Sequence, residues 1–340
     1  MTFVSMMPPQ VQIRRQTASG RIALALFVLA VIGLAAMPWW AKTGTIRMVL
    51  ELCCYVAVAQ MWNLLAGYAG LVSVGQQAFI GAAGYALFVL AQTFGVNPFL
   101  AVFLSLLVPL VLAVPCYLLL HRLDGPYFAI GTWVVAEVFR LVASNLSWVN
   151  AGAGMSLSVM KDYSAFQRNI AMSLFCALLI LVSIGGSYRF LRSRFGLALI
   201  AMRDNPVAAA SQGVNVRRLR FMIYVAAAVG CGLVGAVYFM AQLRINPPSA
   251  FDSMWSNIAI FIVMVGGIAS IEGVLIGTLI YFVADRYFGE YGASYFVVLG
   301  VMTVLVALYA RTGIWGMISA RWDAPWFPIR RHLVLERNKP

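Results

Sequence analysis

A chain of 340 residues that is 62% hydrophobic and only 10% charged cannot be an ordinary soluble domain, in which about a quarter of residues carry charge. The composition predicts an all-α, polytopic integral membrane protein. The formal net charge of +13 raises nucleic-acid binding, but the basic residues sit in the tails and in short gaps between apolar runs, as membrane anchors do.

In chain order, residues 1–21 form a polar tail whose Arg14, Arg15 and Arg21 precede an apolar run from Ile22 to Trp40. That run is long and ends in interfacial tryptophans, so an anchor is expected in place of a cleaved signal. A second span is predicted from Met48 to Ala66 and a third from Ala78 to Phe94. Between them GYAGLVSVGQQ is too polar and glycine-rich for a helix facing lipid. Pro98 to Leu120 and Pro126 to Ala143 make the fourth and fifth spans, and Ile170 to Gly186 the sixth. Phe221 to Leu243 makes the seventh, after which the tandem prolines of RINPPSAFDSM forbid a continuing helix. Trp255 to Ile268 and Gly273 to Tyr287 form an antiparallel pair across the short junction VGGIASIEGV, and Ala293 to Tyr309 is the tenth span. The expected organisation is a membrane domain over 22–311 and a basic C-terminal tail over 312–340.

An even number of spans puts both termini on one side. Arg14, Arg15, Arg21, His121, Arg122, the arginines of 189–220 and the tail from Arg321 to Lys339 then share a face, which the positive-inside bias makes cytoplasmic. The opposite face carries Lys42, Arg47, Lys161, Arg168, Arg244 and Arg286. The segments around Gly75 and Gly266 also fit re-entrant loops, which would change the count. A weak internal echo, GLVS at Gly70 to Ser73 and GIAS at Gly267 to Ser270, falls twice on the cytoplasmic side and does not support an inverted repeat.

Polar residues in or near spans are costly and should face a partner helix or a wet cavity. Glu137 and Arg140 stand three apart on one helix and are expected to neutralise each other as a structural ion pair. Asn63, Ser73, Gln76, Gln77 and Asn257 are candidates for a translocation path. Gln76 and Gln77 come where the helix breaks, so they read equally as a zwitterion site built on freed helix ends or as a plain polar turn. Glu51, Glu272 and Asp285 lie near span ends, where water reaches.

Cys53, Cys54, Cys116, Cys176 and Cys231 fall inside apolar runs and read as packing residues. No GxxxxGK[ST] loop is present, so the chain does not bind ATP in the P-loop manner. His121 and His332 flank the membrane, and no set of residues converges as a metal site or a catalytic centre. No metal and no bound cofactor are expected.

The long polar interval from Tyr188 to Arg220 holds seven arginines and one acid, Asp204. Within it DNPVAAASQG predicts a short isolated helix from Pro206 to Gln212, about two turns long. Asn205 is placed to cap it, Pro206 suits its first position and Gly213 ends it. A helix that short needs support from its loop or from a docked partner.

Four blocks between Trp62 and Ile280 carry a family resemblance: WNLLAGYAGLVSVGQQAFIGAAGYA, GPYFAIGTWVVAEVFRLVASN with AGAGMSL, FGLALIAMRDNPVAAASQGVNVRRLRFMIYVAAAVGCGLVGAVYF, and VGGIASIEGVLIGTLI. Together they resemble the LivM-like permease subunits of ATP-binding-cassette importers for branched-chain amino acids, with permeases for urea and short amides as near relatives. The resemblance implies a coupling helix that docks on an ATPase subunit, mapped to Val207, Ala208, Ala209 and Gly213, with Arg203, Asp204 and Asn205 as a polar rim. Val207 stands where the general importer motif has an acid. The same resemblance implies a homologous partner permease, two ATPase subunits, a periplasmic binding protein and the bacterial inner membrane. A proton- or sodium-coupled secondary transporter is the opposing expectation, with Glu137 as its one suitable carboxylate, and a membrane enzyme is disfavoured.

Overall fold

The computed structural model describes residues 11–14, 18–310, 312–321, 326–327 and 332–335. Most of the two predicted tails, including Arg15, Arg330, Arg331 and Lys339, lies outside them.

Helices follow one another as α1 (Ala18–Ala35), α2 (Thr43–Asn63), α3 (Gln76–Phe88), α4 (Pro98–Ser105), α5 (Leu107–Leu120), α6 (Pro126–Asn145) and α7 (Ala165–Ile180). The short α8 (Ser187–Leu191), α9 (Arg194–Asp204) and α10 (Pro206–Ser211) precede α11 (Val216–Gln242). The chain continues through α12 (Pro247–Ala250), α13 (Met254–Gly266), α14 (Ile271–Phe288), α15 (Ala293–Tyr309) and α16 (Gly313–Ser319). Among the described residues, strands are confined to two small antiparallel pairs, β1 (Val11–Arg14) with β4 (His332–Leu335) and β2 (Met155–Ser156) with β3 (Arg244–Ile245).

Among the described residues seven helical segments are long and apolar enough to cross a membrane: Thr43–Tyr68, Pro98–Leu120, Pro126–Asn145, Ala165–Leu191, Val216–Gln242, Pro247–Gly266 and Ser294–Ser319. The other three predicted spans fall on α1, α3 and α14. α3 opens on Gln76 and Gln77, and α14 carries Glu272, Asp285 and Arg286, so neither is apolar along its whole length. Several predicted starts move toward the N-terminus. α2 starts at Thr43 in place of Met48, α11 at Val216 in place of Phe221, and α7 at Ala165 in place of Ile170, where Ser164 and Gln167 form a reciprocal capping box. The fourth span is divided at Leu106, because Pro109 has no N–H for the Ser105 carbonyl.

Burial separates an inner from an outer set of helices. The α2 segment is 78% buried, whereas the segment ending in α16 is 6% buried, so α2 packs the core and α15 presents its apolar surface outward. α11 lies against α3, α2 and α5. Glycine permits the closest of these crossings: a Cβ at Gly235 would fall on the backbone of Ile80, 2.6 Å from its carbonyl carbon.

Contacts between loops assign each to an end of the bundle. At one end Arg220 Nη1 donates to Asp124 Oδ1 at 3.2 Å, and Tyr117 Oη donates to the Arg217 carbonyl at 3.0 Å. The Phe327 N–H donates to the buried Glu272 carboxylate at 2.7 Å there, and the Phe327 ring packs edge-on against Tyr188. Glu272 is therefore not at a wet span end, as its position in the sequence suggested. A segment near the C-terminus covers it. At the other end β2 pairs with β3, Gln92 bonds Ser158 at 2.8 Å and Asn169 bonds Thr43 at 2.9 Å.

Candidate functional site

The break predicted between the second and third spans is present. α2 loosens into a wide helical turn over Leu64–Tyr68, leaves helical geometry after Ala69, and resumes as α3 at Gln76. Most of the polar groups around the break find partners within the chain. Trp62 Nε1 donates to the Ser73 carbonyl at 2.7 Å, and the Val74 N–H donates to Thr132 Oγ1 of α6 at 3.0 Å. The N–H of Gln76, at the exposed-dipole end of α3, donates to Ser256 Oγ at 3.3 Å. Ser256 Oγ in turn donates to Gln77 Oε1 at 2.5 Å, and Cys231 Sγ donates to Gln76 Oε1 at 3.2 Å. A Cβ at Gly75 would strike the Thr132 backbone, which explains the glycine.

Ser73, Gln76 and Gln77 are thus buried, with Gln76 and Gln77 bonded to α11 and α13 and the Val74 N–H tying the break to α6. Asn63 belongs to the same system. Its side chain donates to the Ser270 carbonyl at 3.0 Å and accepts from the Ala269 N–H at 2.8 Å, so the end of α2 is fastened to the α13–α14 junction. Asn257 is not brought to this group. It lies one residue after Ser256, turned about 100° around the helix, and is exposed in a groove between α13 and α15. Ser256, Thr132 and Cys231 had no signal of their own in the sequence, since single small polar residues inside spans are common.

Replacing Ser256 by alanine leaves the Gln76 N–H and Gln77 Oε1 without their partner. We expect a loss of about 1–3 kcal/mol, read as a lower midpoint in thermal unfolding of the detergent-solubilised protein. Ser256→Thr keeps the hydroxyl and should recover most of that loss.

In the basic loop, Asn205 Oδ1 accepts from the Val207 and Ala208 N–H groups at 3.1 and 3.0 Å, and Pro206 occupies the first turn. The helix ends one residue earlier than predicted, at Ser211. Gly213, at φ +86°, donates to the Ala210 carbonyl, and Val214 donates to that of Ala209, a paired C-terminal cap that requires the left-handed residue. The helix is not isolated, however. The preceding α9, unrecognised in the sequence among its arginines, is capped by Ser193 and buries Gly196, Leu199 and Met202 at helical spacing. α10 rests on it through the buried Ala209, while Val207 stands 78% exposed.

The end of α9 reaches the break directly. Arg203 Nη1 donates to the Gly67 carbonyl at 2.7 Å, a carbonyl freed by the end of the α2 helix and favourable to a cation. Asp204, largely exposed, has its Oδ1 3.9 Å from Arg203 Nε. The basic loop, the α2 break and the α13–α14 junction are therefore bonded to one another through Arg203, Gly67 and Asn63.

A helical bundle with seven segments long and apolar enough to span a bilayer, among the described residues, defines a polytopic α-helical membrane protein. Residues 44–308 match the family model of the branched-chain amino acid transport system permease component, and the chain belongs to that family. It is 23% identical over 319 residues to the high-affinity branched-chain amino acid transport system permease protein LivM of Escherichia coli, covering 85% of this chain and 74% of that one. The LivM protein of Salmonella typhimurium matches equally, with 23% identity over the same shares. A probable branched-chain amino acid transport permease protein LivH of Methanocaldococcus jannaschii is 26% identical over 268 residues, 71% of this chain and 82% of that one. The resemblance drawn from the four sequence blocks is upheld.

Proposed function

We propose that this chain is the membrane-spanning subunit of an ATP-driven importer, forming half of a path for branched-chain or related neutral amino acids. The observation that carries the reading is the capped helix α10 with its exposed Val207 and small neighbours, fastened through Arg203 to a broken spanning helix. An ATPase subunit that docks on α10 would shift α9, and the bond to Gly67 would pass that movement to the α2 break and, through Asn63, to the α13–α14 junction. A periplasmic binding protein delivers the amino acid, a homologous permease completes the path, and the basic end faces the cytoplasm with both termini. Urea and short amides are the nearest alternative substrates.

Uptake of a radiolabelled branched-chain amino acid into proteoliposomes tests the reading, with this chain, its partner permease, the ATPases and the binding protein present. Uptake is expected to require ATP and the ATPases and to persist when ion gradients are collapsed. Gradient-driven uptake by this chain alone would establish a secondary transporter instead. Sidedness is tested separately: a cysteine replacing Gln212 should resist impermeant thiol reagents in intact cells, while one replacing Ser158 at the opposite end should react. Labelling of the Gln212 position from outside would reverse the orientation.

A further inference from the structure

α6 carries an ion pair where an isolated bilayer-facing helix should not. Its Arg140 Nε lies 3.0 Å from both carboxylate oxygens of Glu137, and Arg140 Nη2 also donates to Glu137 Oε1. The pair formed as the three-residue spacing predicts, but it is not packed inside the chain: the side chains of Glu137 and Arg140 remain 43% and 35% exposed. α6 turns Phe128, Thr132, Ala136 and Ala143 inward against α3, α5 and α12. Val134, Val138 and Leu141, about half exposed, flank the pair on the outward side.

Depth makes this placement informative. α6 runs over 20 residues, about 30 Å, and Glu137 lies roughly 17 Å from its start, near the middle of a bilayer core. Lipid headgroups do not reach that level. Facing hydrocarbon there costs each charge several kcal/mol, and pairing removes only part of the cost. The other two ion pairs among the described residues, Arg203–Asp204 and Arg220–Asp124, lie at the basic end, where water is available. Other outward helices, such as α5 with Val111 and Leu119, present apolar side chains suited to lipid.

The geometry points to the Glu137–Arg140 face of α6 as the wall of an aqueous path between this chain and a second permease subunit, where the pair receives the zwitterionic head of an α-amino acid. This rests on the importer reading above. The Nη1 donors of Arg140 have no acceptor among the described residues, and a guanidinium offers a planar fork that fits a carboxylate. The Glu137 oxygens accept from an ammonium. Because the wall is neutral overall, it favours a zwitterion over a simple cation or anion and holds it weakly enough for release.

The test uses the complete reconstituted transporter. Cysteines replacing Val134 or Leu141 keep the ion pair, and all five native cysteines are buried, so background labelling is low. These positions should react with an ionic, water-soluble thiol reagent about tenfold faster or more than a cysteine replacing Val111, because thiolate chemistry needs water. Leucine delivered by the binding protein with ATP should slow the reaction. Glu137→Gln and Arg140→Gln should each reduce leucine uptake about tenfold or more, the loss of one charged hydrogen bond, while ATP hydrolysis by the complex continues. Labelling no faster than at Val111, no protection by leucine, or undiminished uptake by both variants would overturn the proposal. Failure of the wild-type complex to show ATP-dependent uptake would instead remove the importer reading, and the comparison with Val111 would still report whether the face is wet.

Discussion

Gly213→Val is expected to reduce amino-acid uptake by the reconstituted transporter at least about tenfold while ATP hydrolysis and membrane insertion persist. At φ +86° a β-branched residue is disfavoured by about 1–2 kcal/mol or more. Nothing lies within 4 Å of where its Cβ would fall, so the cost comes from the backbone and not from a clash. Relief of that strain opens the paired cap on Ala209 and Ala210, and a helix of six residues has little stability of its own with which to resist. Gly213→Asn is the control, because asparagine tolerates the left-handed region; it should keep most of the uptake. Equal uptake by wild type and the valine variant would show that α10 is not the element through which ATPase movement enters.

Gly235→Val is expected to have the largest effect on the fold itself. Its Cβ would overlap backbone atoms of Ile80, and backbone cannot step aside as a side chain can. The α3–α11 crossing would have to widen, losing packing along its length, at a cost above the roughly 1–3 kcal/mol of ordinary overpacking. The variant should therefore fail to accumulate as folded protein in the membrane, assayed by monodisperse recovery in detergent. Gly300→Val on α15, where nothing lies within 4 Å, should behave as wild type. If both variants were recovered equally, the close crossing would not be essential.

How the two kinds of information divide is visible at individual residues. The apolar runs, the break before Gln76, the Asn205 cap, the Gly213 stop and the Glu137–Arg140 spacing were all legible, because each depends on interactions within a few residues along the chain. Composition alone assigned the solvent, since hydrocarbon requires long apolar runs whatever their arrangement. α9 escaped notice because its buried Gly196, Leu199 and Met202 face the bundle between arginines, and its apolar stripe has meaning only once there is a bundle to cover.

The tertiary structure decided which of the polar candidates act together. Gln76 and Gln77 read equally from sequence as a ligand site or a turn, and the fold bonds them to Ser256 and Cys231, some 150 to 180 positions away in the chain. Asn257 and Ser256 were indistinguishable as neighbours in sequence, yet the turn of the helix places one outside and the other at the break. The family resemblance placed Arg203 on the polar rim of the short helix; its reach to Gly67, 136 residues away, which local sequence does not show, makes it the link between loop and span. Sequence by itself determined the membrane class, the helices and their local stops, which follow from solvent and short-range bonding. Which helix faces meet, and therefore which buried polar groups are satisfied and which charges are left facing outward, was decided only by the packing of distant segments in three dimensions.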